Sequence, residues 1–404
     1  MRTRTTAVQT ALTGLTAASL LAGCISRPRP PAAPEPFVFR SLDLRQQTGT
    51  GEPAWDLSSP EARYDLIRQL ALAREPRGTI YRQGQRSITI QARRGTVIGD
   101  GQAIQLEGDV QITLLGRNPV QITGDQARWI PRQNLMVIDR RPAARDRRSR
   151  ITSQTARYRL DRDLVELRGA PVLEQWAQRQ GQASIRVQVS SVDWKPQQGD
   201  LMALGPVLGQ RFSAKAQPQR PAAAPEARRP ADLRLRSSGL RGNLRQGFID
   251  LLEPVQVRDG NGSSWLNARR TRWAINEEWL GSDQPFEGAM KALQARGNGL
   301  RINLANDTVL VPEACVLTQP GEQLSARRCL WNWSSGRFDA EGSVLLRRQA
   351  YQQVTRASRL QGRIGKDGTA VFTNPGARVE SRFTLPPQGA GRAPKAAAAP
   401  PVTF

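Results

Sequence analysis

The side chains of this 404-residue chain best placed to do chemistry are two pairs of neighbouring carboxylates, Asp161 with Asp163 and Glu277 with Glu278, and three cysteines. Paired carboxylates can hydrolyse a glycosidic bond, one protonating the leaving oxygen while the other attacks or activates water. Here both pairs sit among turn-forming residues, where a solvated carboxylate is the ordinary outcome. Histidine is absent, so the commonest general base and zinc ligand are missing. No nucleophile elbow or phosphate-cradling glycine loop accompanies them, and Gly95-x-x-x-Gly99 is turn spacing. The sequence therefore reads as non-enzymatic, with no cofactor and no metal implied.

The cysteines speak of address. Arg2 and Arg4 precede a modestly apolar stretch, Ala7 to Leu21, which runs into Leu21-Ala22-Gly23-Cys24. A basic start and a short, Thr-rich apolar core describe a signal peptide (1–23) and not a membrane span. Its ending is similar to the bacterial lipobox, which makes Cys24 the expected lipidation site; an ordinary signal peptide with an incidental cysteine is the alternative. Two or more acyl chains anchor stably, whereas one, at ~0.8 kcal/mol per buried CH₂, is marginal. The expected location is the periplasm, anchored to a membrane leaflet, the inner membrane in preference to the outer. That address sets nucleic acid aside as a partner, despite a net charge of +24. Cys315 and Cys329 flank Gln319-Pro320-Gly321-Glu322, a turn sequence. If it closes a hairpin, the two sulfurs face each other from adjacent strands and can form a disulfide outside the cytoplasm. Two free buried thiols are the alternative.

The framework around these residues is a repeated unit. Its first half reads Ala-Arg, at Ala62-Arg63, Ala92-Arg93, Ala127-Arg128, Ala156-Arg157, Ala268-Arg269, Ala295-Arg296 and Ala326-Arg327. Its second half is a Gly/Pro-x-Val hook, as in Leu106-Glu107-Gly108-Asp109-Val110, Leu167-Arg168-Gly169-Ala170-Pro171-Val172 and Ala340-Glu341-Gly342-Ser343-Val344. Self-similarity at roughly thirty residues marks a supersecondary unit stacked many times. Between the halves, side chains alternate: Ile88 and Ile90 against Ser87, Thr89 and Gln91, then Ile104 and Leu106, then Val110, Ile112 and Leu114. A period of two is the signature of half-buried strands, so the fold class is all-β, built of repeated antiparallel strands. One copy of Ala-Arg means only an inward Ala and a solvated Arg; repetition carries the information.

Pro-rich stretches divide the chain into a tether (24–36), a first module (37–212), a Pro/Ala-rich linker (213–231), a second module (232–385) and a disordered tail (386–404). One segment is ambiguous. Ser59-Pro60-Glu61 followed by Leu66, Ile67, Leu70 and Leu72 looks like a capped helix, whereas Trp55, Leu57, Ala62 and Tyr64 fit the strand repeat. The expectation is a strand at Trp55–Leu57, then a short helix or irregular turn over Ala62–Ala73.

Phe37–Leu44, Trp55-Asp56-Leu57, Ala62-Arg63-Tyr64 and Gly78-x-x-Tyr81 resemble the opening of LptC, a periplasmic component of the lipopolysaccharide export machine. The Leu-Glu-Gly-Asp-Val, Ala-Arg-Trp and Leu-Arg-Gly-x-Pro-Val blocks are similar to that family's strand units, a pattern shared with the LptA bridge proteins. The resemblance covers 37–212; the second module keeps the rhythm loosely. This chain departs from the family in its lipobox-like start and its length. The resemblance implies an open, twisted β-jellyroll, as two stacked modules, carrying lipid A acyl chains in an apolar groove. It implies lipopolysaccharide as cargo, an inner-membrane ABC transporter as donor, and an LptA-like bridge protein docked through edge strands. From alternation, the groove candidates are Ile88, Ile90, Ile104, Leu106, Val110, Ile112, Leu114, Val120, Ile122, Trp129, Leu135 and Val137. The alternatives are a purely structural or assembly lipoprotein of the envelope, and a β-helix enzyme acting on polysaccharide. Ala92 and Ala127 lie 35 residues apart but Ala268 and Ala295 only 27, too irregular for β-helix coils.

Overall fold

The computed structural model describes residues 37–176, 183–212, 231–363 and 369–384. Cys24, the signal-like segment, the tether, nearly all of the expected linker and the tail after 384 lie outside the described residues. Within them, every regular element is a β-strand apart from short 3-10 turns. The strands pair antiparallel into one continuous ladder, as the alternation predicts. No helix among the described residues is long and apolar enough to cross a membrane.

The ladder is folded lengthwise into two leaves. Glu61–Asp65, Leu70–Arg74 and Arg94–Ile98 belong to the first leaf; Pro53–Ser59, Arg77–Arg82 and Gln85–Gln91 belong to the second. Four long strand pairs run through both leaves: Ala103–Leu114 with Val120–Ile130, Asp200–Arg211 with Leu233–Asn243, Trp279–Met290 with Leu293–Asn303, and Arg337–Arg348 with Gln353–Arg363. Each pair slips register near its middle, for example between Gly124 and Gln126 and between Ser282 and Pro285. The fold line, or spine, passes through those slips. Hairpin turns line the opposite side as two rims.

The hook of the sequence repeat is this spine. Gly108-Asp109, Gly169-Ala170 and Gly342-Ser343 all take positive φ, which re-aims the chain from one leaf to the other. The Ala-Arg half meets the hook there: the Arg93 N–H donates to the Gly108 carbonyl at 2.9 Å and the Arg327 N–H to that of Gly342 at 2.8 Å. A Cβ on Gly108 or Gly342 would stand 3.2 or 2.9 Å from the overlying arginine side chain, so glycine also makes room. The alanines of Ala62, Ala127 and Ala156 are buried between the leaves, while their arginines face water. Across the core, Trp55 of the second leaf meets Trp129 of the first edge-on, ring centroids 5.4 Å apart.

Two local readings change. Residues 62–73 hold no helix: Glu61–Asp65 pairs with Leu70–Arg74. Asp65 starts the turn by accepting the N–H groups of Ile67 and Arg68, each at 3.0 Å. Ser59, the expected cap, instead donates its hydroxyl to the carbonyls of Glu61 and Arg74. Strand partners on both sides outweigh a helical pattern too short to stand alone. Next, Cys315 and Cys329 are disulfide-bonded with Cα atoms 6.0 Å apart, but not across one hairpin. The Gln319–Glu322 turn sets Ala326 opposite Cys315, and Cys329 pairs with Val311. The bond thus joins a second-leaf strand to a first-leaf strand beside the spine. The strands on either side of 213–231 are partners: Asp200–Arg211 pairs with Leu233–Asn243 from Asp200↔Asn243 to Arg211↔Leu233, with one slip between Leu204 and Val207.

Candidate functional site

Ten of the twelve groove candidates point between the leaves: Ile88, Ile90, Ile104, Leu106, Val110, Ile112, Leu114, Val120, Ile122 and Trp129 are 0–4% exposed. They form a filled core. Leu135 and Val137 stand half-buried on the outer face, and Met136 and Ile138 take the inward places opposite Trp129 and Ala127. All four residues of Leu135-Met136-Val137-Ile138 are apolar, so alternation has no phase there; the partner strand supplies it.

An unfilled space lies farther along. Between the leaves, around residues 233–333, is a cavity of about 290 Å³ open to solvent. Leu266, Phe286, Met290 and Leu293 line it from the second leaf, and Leu280, Leu300, Ile302, Trp331 and Trp333 from the first. Asp259 and Ser264 supply the only carboxylate and hydroxyl in its wall. A volume near the lower end of ligand sites, roughly 300 Å³, suits an alkyl chain.

The cause is a substitution within the repeat. Ala103–Leu114 and Trp279–Met290 are both twelve residues long and share most of a burial rhythm: Ile104, Leu106, Val110, Ile112 and Leu114 are buried in one, and Leu280, Ser282, Phe286 and Gly288 are buried at the matching places in the other, with Met290 half-buried where Leu114 is buried. In the first pair Ile112 stands directly opposite Ile122. In the second the same place holds Gly288 opposite Ala295. Two isoleucines fill the first region, whereas Gly288 and Ala295 line the cavity in the second; a Cβ on Gly288 would stand 2.8 Å from the Trp265 carbonyl, so close backbone approach also favours glycine there. This signal was present in the sequence and required aligning the two long strands.

The rims differ as well. Arg82 of a second-leaf turn donates its guanidinium to the Leu160 carbonyl on the first-leaf rim. The Gln197 amide reaches the Leu115 carbonyl at 3.4 Å, and the Arg148 guanidinium reaches the Asn276 side chain at 3.4 Å. The first two bridges lie before the cavity, and the third reaches Asn276, in the turn that leads into the cavity-lining strand Trp279–Met290. Asp163, one of the paired carboxylates, belongs to this closure: it accepts from the Tyr158 hydroxyl at 3.2 Å and from the Gln197 N–H at 2.8 Å. Burial, then the Asp163 charge, pushes the Tyr158 phenol well above its ordinary pKa, so it remains a donor. Asp161 pairs only with exposed Arg162, and Glu277 accepts from the Trp279 indole. Neither pair converges on a common space.

Residues 11–170 match the family model described as "Lipopolysaccharide-assembly, LptC-related". Over that stretch the chain carries an LptC-related domain. The match contains the filled Ala103–Leu114/Val120–Ile130 pair, and the cavity lies beyond it. Among solved structures, LptH from Pseudomonas aeruginosa, titled the LptA homologous periplasmic component of the lipopolysaccharide transport device, is similar at 14% identity and a TM-score of 0.26, covering 29% of this chain and 82% of that one. No curated protein matches the chain.

Proposed function

We propose that this protein is a lipopolysaccharide-transport conduit that holds acyl chains in the cavity between its leaves. The observation that carries this reading is an apolar, solvent-open space built from a strand pair whose LptC-related counterpart is full. Hydrocarbon moved from water into such a space gains about 25 cal/mol per Å² of apolar surface, the same term that packs a core. No catalytic group is needed, because energy for extraction comes from an ATP-driven partner. In this reading the protein resides in the periplasm, held to the inner membrane through lipidated Cys24. It receives lipopolysaccharide from an ABC transporter and passes it to an LptA-like bridge protein through unpaired edge strands. Ile88 to Trp129 would continue the same trough wherever the bridged rims part. A purely structural stalk accounts for the filled region but gives the cavity no use.

Photoreactive residues test the reading. Lipopolysaccharide is expected to crosslink at Met290 and Leu293, which face the cavity, and not at outward-facing Gln294. Equal labelling at Leu293 and Gln294 would reject an acyl-binding interior.

A further inference from the structure

The turns on the first-leaf rim are polar almost throughout: Gly99-Asp100-Gly101, Arg132-Gln133-Asn134, Asp161-Arg162-Asp163 and Asn276-Glu277-Glu278. The turn between Glu61–Asp65 and Leu70–Arg74 breaks that pattern. At its tip Leu66 is 58% and Ile67 73% exposed. On the outer face behind the tip, Val38 and Leu72 flank Arg63 in one cross-strand row, and Ile98 lies beyond Leu70 in the next. Val38, Leu72 and Ile98 are exposed as well. This patch is fringed by arginines: Arg63, Arg68 and Arg74 are all exposed and reach Glu61 or Asp65 only at 3.7–3.9 Å, too long for good hydrogen bonds. Arg94 lies across from Arg74 on the neighbouring strand.

Two aliphatic side chains projecting from a rigid hairpin, ringed by guanidinium groups, make a small version of an interfacial membrane anchor. The apolar tip enters the boundary between headgroups and acyl chains while the arginines meet anionic lipid phosphates. The direction of the chain favours the same occupant. The described part begins at Phe37, on the edge strand Phe37–Phe39, and that strand pairs with Glu61–Asp65, the first arm of this hairpin. Phe37 lies opposite Tyr64, two residues before Leu66, so this edge strand starts beside the tip.

We infer that the Leu66-Ile67 hairpin docks on an anionic bilayer surface, with Arg63, Arg68 and Arg74 as its phosphate contacts. Contact at the tip orients the first leaf relative to the membrane, which a tether alone does not do. The inference is independent of what the cavity carries.

The test uses the full chain with Cys24→Ser, so that no lipid anchor contributes, and an environment-sensitive fluorophore on Ile67→Cys; Cys315 and Cys329 are already bonded to each other. With vesicles of phosphatidylcholine and phosphatidylglycerol, the label is expected to shift to the blue, and the same label on Arg132→Cys is not. In sedimentation with the same vesicles, Leu66→Ser with Ile67→Ser is expected to weaken binding by about tenfold or more, given the apolar surface withdrawn from the bilayer. Arg63→Gln with Arg68→Gln should weaken it several-fold, and added salt should mimic that loss. All four positions are exposed, so the variants should keep the far-ultraviolet spectrum and melting temperature of the parent. Three results would overturn the inference: no blue shift at position 67, binding unaffected by the serine pair, or equal binding to vesicles of phosphatidylcholine alone. The first would leave the apolar tip as a contact for a protein, and the last would remove the arginines from any role in choosing the lipid.

Discussion

Two versions of one strand pair lie about half a chain apart in this molecule, and they do opposite things. Ala103–Leu114 with Val120–Ile130 closes on itself: Ile112 and Ile122 meet across the strands, Trp129 meets Trp55 edge-on, and polar side chains lace the rims. Trp279–Met290 with Leu293–Asn303 keeps the antiparallel pairing, the mid-strand slip and most of the inward rhythm but places Gly288 against Ala295. The fold of the leaf is thus indifferent to whether its interior is occupied by its own side chains. Backbone pairing and the spine hold the architecture, and the inward residues decide whether a stretch is core or cavity.

The sharpest break in the comparison should come from hollowing the filled copy. Ile112→Ala and Ile122→Ala are each expected to cost about 3–4 kcal/mol, because a well-packed site collapses only partly around a deletion. Ala295→Ile, the reverse change in the hollow copy, should cost at most about 1 kcal/mol and abolish crosslinking of lipopolysaccharide at Leu293. Urea unfolding followed by tryptophan fluorescence measures both; equal losses at Ile122 and Ala295 would contradict the contrast. Next in size is the disulfide. Cys315→Ser is expected to lower stability by about 3 kcal/mol, the loop-entropy value for a 14-residue separation, read from the denaturation midpoint with and without reductant. The bond ties the two leaves together beside the spine, so its loss should also speed amide exchange at Leu317 and Leu330 more than at Ile104.

Smaller effects belong to the rims. Gln197→Ala removes one rim bridge and should cost about 1 kcal/mol, with faster exchange near Leu115 and no change near Trp333. The smallest effect is a pH dependence on the cavity-bearing side of the chain. Burial raises the Asp339 pKa, but hydrogen bonds from Arg359 and Gln361 lower it by more, leaving it below the ordinary carboxylate range. Its contribution is therefore present above the unfolded-state value of about 3.9 and is lost as the pH falls through the lower folded-state value. Asp339→Asn should flatten the acid limb of the stability profile measured by thermal melts.

Much of the fold was legible because its signals are local. Alternation gave the strands, and the Gly-Asp and Gly-Ser hooks marked the spine, since few residue types accept positive φ. What failed was whatever depends on a distant partner. Leu135 and Val137 went to the wrong face because an all-apolar run has no phase of its own. The helix-like spacing of Leu66, Ile67, Leu70 and Leu72 lost to strands that pair from both sides. The disulfide was expected within a hairpin, whereas Cys329 reaches the next leaf. The cavity was missed for a different reason: it is made by small residues, and Gly288 and Ala295 look like nothing in isolation.

The ladder around 213–231 has a practical outcome. Arg211 and Leu233 are direct partners at the end of a strand pair that is in register from Val207 to Arg211. Whatever joins them does not set the alignment of the strands on either side. A fluorescent protein or an affinity tag spliced between them should therefore leave the strand pairing intact, giving a reporter anchored one strand end from Leu233 in the cavity wall.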